Sequence, residues 1–202
     1  TFDTGGVVVL VNDLLLDNAG HTLGTLHVSQ AADVTIVDQD AIVFGQIDIA
    51  GLLLLTAGGA VTQAPATSIN AATLEITTIS PTSASITLDQ DNDTNTVSFA
   101  TTTDGFTPAP GAIRYSDVNG FLVERVLTSG AAGSAVTLVA GGAVTQQGGA
   151  GSALVAETLL LRGGGSYTLE NPANDVGVIA GDASGSTAYF DLNDLVVGTV
   201  AA

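Results

Sequence analysis

Carboxylates set two or three residues apart are the first candidates for chemistry in this chain. The segment Asp89-Gln90-Asp91-Asn92-Asp93-Thr94-Asn95 alternates oxygen donors as a Ca²⁺ loop does, so Asp89, Asp91 and Asp93 form a candidate metal site. An EF-hand would also need Gly at its sixth position and Glu at its twelfth, where this chain has Thr94 and Ala100. The competing reading is a solvated turn, which Asp and Asn form readily. No cofactor beyond such an ion is expected. Asp38/Asp40 and Asp191/Asp194 have the makings of a glycosidase pair, which needs two carboxyl groups flanking one bond. The same positions recur as Asp117/Asn119, however, and a turn has a reason to recur where a catalytic pair has none. His21 and His27, the two histidines, lie near Ser29 without the further convergent partners that a triad or a zinc site requires. The expectation is a protein that is not an enzyme.

Composition narrows the partners. The 202 residues carry 20 acidic groups against three arginines and no lysine, for a formal charge of -17. Nucleic acid and anionic membrane surfaces both require Lys and Arg to displace counterions, so neither is expected to bind. The longest apolar runs, Val7 to Val11 and Leu52 to Leu55, fall far short of the roughly 20 residues of a spanning helix. Absence of cysteine removes disulfides and thiolate metal sites. The hydrophobic share is 46% but the aromatic share only 4%, so the core must be built from Val, Leu, Ile and Ala, which suits thin layers.

Those layers are strands. Val7–Val11, 33–37, 74–77, 85–88, 135–139 and 167–169 combine β-branched residues with partial alternation, and Gly, Asn and Asp separate them at short intervals. Repeats are evident. Gly58-Gly59-Ala60-Val61-Thr62-Gln63 returns identically as Gly141 to Gln146. Segments starting at Asp38, Asp117 and Asp191 align their apolar positions as Ile42, Phe121 and Leu195, then Phe44, Val123 and Val197, then Ile47, Val126 and Val200. The three Asp-led segments are spaced almost evenly along the chain. A unit of that length fits three or four rungs of about 20 to 25 residues, each burying its apolar side only against its neighbours. The expected fold is all-β: a right-handed parallel β-helix (β-solenoid) of about nine rungs filling 1-202, with copies at about 14-84, 85-165 and 166-202, the last truncated. A β-sandwich is the alternative, but it predicts two similar halves rather than three unequal copies.

The Gly-Gly-Ala-Val-Thr-Gln segments, the Tyr167 to Gly177 stretch and Asp191-Leu-Asn-Asp-Leu-Val-Val-Gly198 resemble repeats of large secreted filamentous-haemagglutinin-like bacterial adhesins. The resemblance covers about Leu14 to Val200 and implies right-handed parallel β-helices in proteins exported to the cell surface or the extracellular medium. On this reading the chain is a non-catalytic structural or adhesive rod. Its partners would be other copies stacked head to tail into filaments, or the rest of a longer repeat chain, or a host or matrix glycan. Val7, Val9 and Val11 at one end and Leu195, Val197 and Val200 at the other are the residues expected at the stacking ends, where unpaired strand edges favour continuation. The alternative is a carbohydrate-binding or polysaccharide-degrading β-helix module, with Tyr115, Phe121, Tyr189 and Phe190 as its platform.

Overall fold

The computed structural model describes residues 7–9 and 12–199. Short β-branched segments punctuated by Gly and Asp cannot form helices, and among the described residues there are eighteen strands and a single 3-10 turn at Ala150–Ser152. Every strand-to-strand pairing is parallel, and each segment bonds to the one a coil before and the one a coil after. An isolated bridge between Thr102 and Pro108 is antiparallel. This is a β-solenoid. Parallel pairing between segments one coil apart excludes the antiparallel sandwich.

The winding can be followed along one column of side chains. Ile42, Val61, Ile86, Ile113, Val136, Leu159, Ile179 and Val197 pair in succession, so that column has eight levels. The shortest step along it runs from Ile179 to Val197 and the longest from Ile86 to Ile113, and these two bracket the rung length expected from sequence. A second column on the other side of the coil runs Leu14, Val34, Leu53, Leu74, Val97 and Val123. Inward positions of both columns are buried from Leu14 to Ile179. Alternation along each strand produces this: Val34–Asp38, for example, is buried at every second residue. Each buried Leu, Ile or Val contributes roughly 1.5–3 kcal/mol, realised only when the neighbouring coil is in place.

The two columns fix the phase of the sequence repeat. Val34 lies in the second column, and its counterpart in the next copy, Ile113, lies in the first. From Val34 three coils lead to Val97. A further half coil leads to Ile113. One repeat thus spans three and a half coils, and successive copies present the same motif on opposite sides of the rod.

Candidate functional site

Side chains that recur in the sequence converge on the edges of the coil, where the backbone turns from one side to the other. Gly58 and Gly141 open the repeated hexapeptide, and a Cβ on either would collide with the carbonyl oxygen of the coil beneath, that of Gln39 or of Val118. Only glycine lets the two turns stack so closely. Val61 and Val144 follow as inward members of their columns. Gln63 and Gln146 end the motif and serve as polar clasps. Gln63 Nε2 donates to Asn92 Oδ1 at 2.7 Å, and Asn92 Nδ2 returns a bond to Gln63 Oε1 at 3.2 Å. Gln146 and Asn174 repeat that exchange at 2.6 and 3.0 Å. Each asparagine also accepts from the backbone N–H of the strand that follows the turn, Ile69 or Leu154, and donates to two carbonyls, Leu88 and Ser116 or Leu169 and Phe190. Both asparagines are fully buried with every polar atom bonded, as a dry interior requires.

The Asp-led segments form a second kind of corner. Asp38 accepts from the N–H groups of Leu23 and Asp40, and Asp117 from those of Thr94 and Asn119. Asp191 accepts from Val176 and Asn193. In each case one bond closes the local turn and the other clamps the preceding coil. The tyrosines Tyr115 and Tyr189, two residues earlier, donate their hydroxyls to Asp117 at 2.7 Å and to Asp191 at 3.0 Å. Burial raises the pKa of Asp38 and of Asp117 against the lowering effect of these N–H donors. Burial likewise raises Tyr115 and Tyr189 well above the ordinary phenol, with the neighbouring carboxylates adding to it, and takes Tyr167 to about 12. These hydroxyls stay protonated and act as donors.

Asp89, Asp91 and Asp93 are exposed on the strand Ile86–Thr102, while Asn92 and Thr94, on either side of Asp93, point inward. Their outward carboxylates are engaged separately: Asp89 lies 3.6 Å from Arg114, and Asp93 accepts from Asn119 at 3.1 Å. No group of three His, Cys, Asp or Glu side chains spaced to hold a metal ion occurs among the described residues. The alternation that suggested Ca²⁺ is the alternation of a strand. Asp38, Asp117 and Asp191 are structural corners, as their recurrence implied. His27 accepts from the N–H of Gln46, and its ring occupies the space that a side chain at Gly45 would fill.

The aromatic platform is not assembled. Tyr115 and Phe121 are core residues: the Tyr115 ring lies tilted against Phe99 at a centroid distance of 5.3 Å and edge-on to Phe121 at 5.1 Å. Tyr189 is half-buried and Phe190 exposed. Of the stacking-end residues, Val11 and Val200 lie outside the described residues, and Val7 and Val9 are in a strand whose backbone pairs with His27–Ser29. Leu195 packs against the core, and Val197, the last member of its column, is 81% exposed. The Gln–Asn clasp escaped sequence reasoning, although the sixth residue of the identical hexapeptides was its visible signal.

Coils, columns and repeated clasps define a β-solenoid repeat protein. More particularly, the chain belongs to a family described as repeats of unknown function (DUF5649), whose model matches residues 31–101 and 117–181, more than half of the chain. Each matched segment contains one complete hexapeptide together with the asparagine of its clasp. No curated protein and no solved structure matches the chain. Among the described residues no helix is long and apolar enough to cross a membrane.

Proposed function

We propose that this chain is a non-catalytic structural rod of an exported surface or extracellular protein, extended by head-to-tail stacking of copies. The carrying observation is that the recurring polar groups, which would be the material of an active site, are bonded to the backbone of neighbouring coils and serve the stack. The exposed Val197 at the end of the apolar column, with Leu195 beside it, supports stacking as the mode of extension. Adhesion to a surface partner would be a property of the flanks. Electron microscopy of the purified chain across a concentration series tests the reading. Fibres with a ~4.8 Å axial repeat are expected. Particles that stay single short rods at the highest concentration would overturn self-stacking, and hydrolysis of a polysaccharide in a glycan panel would overturn the non-catalytic reading.

A further inference from the structure

Residues that repeat serve the architecture, so residues that break the repeat are where an individual function is to be sought. Arg114 breaks it: its counterparts in the other copies are Thr35 and Ala188. The outward column beside it runs Asp89, Ser116, Val139 and Arg162 on successive coils, by the register that pairs Leu88 with Tyr115, Ser116 with Val139 and Val139 with Arg162. Asp182 follows on the next coil and accepts from Arg162 Nε at 3.2 Å. These residues line a cleft of about 400 Å³. Its floor is the small pair Ser116 and Val139. A guanidinium stands at each side, with the backbone rows of Arg114 and Arg162 two coils, or ~10 Å, apart. Each is held from outside by a carboxylate, Asp89 for Arg114 and Asp182 for Arg162. Gly163, at φ +99°, gives the chain a tight turn after Arg162, where a Cβ would strike the carbonyl of Ala140.

Two of the chain's three cationic groups are thus gathered at one cleft of a molecule whose charge is -17. Their donors are not used up. The contact from Arg114 Nε to Asp89 is 3.6 Å, too long for a hydrogen bond, and that nitrogen is buried with no acceptor. Among the described residues the Nη groups of both arginines make no hydrogen bond, the bond from Arg162 Nε being the one either guanidinium forms. Guanidinium forks facing a shared space with free N–H edges match an oxyanion. Two arginines and two aspartates cancel locally, so a single negative group meets no net repulsion here. A polyanion would extend past the cleft onto an acidic surface, beyond the ~8 Å over which physiological salt screens charge weakly. The Ser116 hydroxyl and the outer lone pairs of Asp89 and Asp182 suit hydroxyl groups, and the volume lies within the range of small-ligand sites.

We infer that the Arg114–Arg162 cleft binds a small hydroxylated ligand bearing one carboxylate, of the sugar-acid class. This goes beyond the rod reading and does not depend on it. The test is calorimetric titration of the full chain at neutral pH and low salt with glucuronic acid, with glucose as the uncharged counterpart and polygalacturonate as the polymer. Glucuronate is expected to bind at least tenfold more tightly than glucose. Arg114→Gln and Arg162→Gln should each weaken glucuronate at least tenfold while circular dichroism and thermal midpoint stay unchanged, both side chains being on the surface. No glucuronate binding, equal binding of glucose, or undiminished binding by the double variant would overturn the site. Polymer binding more than tenfold tighter per chain than the monomer would overturn the single-carboxylate assignment.

Discussion

Two corners of the rod have nearly the same sequence and different surroundings. Tyr115-Ser116-Asp117-Val118-Asn119 and Tyr189-Phe190-Asp191-Leu192-Asn193 make the same four bonds: hydroxyl to carboxylate, two backbone N–H groups to that carboxylate, and an amide to an aspartate one coil back, Asp93 or Asp175. The residues that follow do not share a fate. Phe121 and Val123 are buried, whereas their counterparts Leu195 and Val197 are partly covered and 81% exposed. Local sequence therefore determines the hydrogen bonding of a corner, and burial comes from the coil laid over it. That division is expected of a stacked architecture, in which a unit's stability is mostly its interface with the next.

The comparison breaks most visibly if a charge is placed at the matched apolar positions. Val123→Asp buries an unpaired carboxylate between coils and should cost on the order of 4 kcal/mol, enough to unfold the middle of the stack. Val197→Asp should leave the monomer's unfolding free energy in urea within about 0.5 kcal/mol of the parent, because an exposed site leaves the charge in water. Equal losses at the two positions would mean that a further layer covers Val197 in solution.

The Gln–Asn clasps supply a control in which both sites are buried. Asn92→Ala strips partners from Gln63, from the N–H of Ile69 and from two carbonyls, a loss of about 3 kcal/mol. Asn174→Ala removes the same set and should cost the same within about 1 kcal/mol. A large asymmetry in denaturation midpoints would show that the half-coil rotation between copies changes the environment of the clasp. One step smaller is the phenol. Tyr115→Phe leaves Asp117 short of a donor and the Thr94 hydroxyl short of an acceptor, and should lose about 1.5 kcal/mol. Tyr189→Phe, on a half-buried side chain, should lose about half of that.

The fold was legible because the solenoid writes itself as periodicity. Val34–Asp38, Ala135–Ala140 and Tyr167–Leu169 are strands within a residue of where β-branched content places them. The recurrence of Asp38, Asp117 and Asp191 argued for turns, and each carboxylate closes one. Two things could not be read. The Asp89 to Asn95 run looks like a loop of ligands, yet it lies inside the long strand Ile86–Thr102, because Asn92 and Thr94 find inward partners on other coils. The partners of Asn92 and Thr94, Gln63 and Tyr115, lie more than twenty residues away in sequence, where local spacing gives no sign of them. Tyr115 and Phe121 are platform candidates by residue type, although Phe121 also falls on an apolar column, and both point inward, Tyr115 lying between Phe121 and Phe99 of the coil before.

The smallest effect in the comparison is the dependence on pH, and its sign is fixed by burial. Asp38 and Asp117 have folded pKa values raised above the ordinary 3.8, chiefly by desolvation. In the interval between the ordinary and the raised value the folded chain binds more protons than the unfolded one, so stability rises as pH falls. The thermal midpoint should therefore climb as the pH is lowered from 7 toward about 4, and relief of repulsion within a chain of formal charge -17 acts in the same direction. Asp117→Asn separates the two contributions. Its amide oxygen can still accept from Thr94 or Asn119, but it has no proton to gain. The variant's climb should be shallower than the parent's by on the order of 2 °C in scanning calorimetry. Parallel curves would place the whole pH response in the surface charge and none of it in the buried corner.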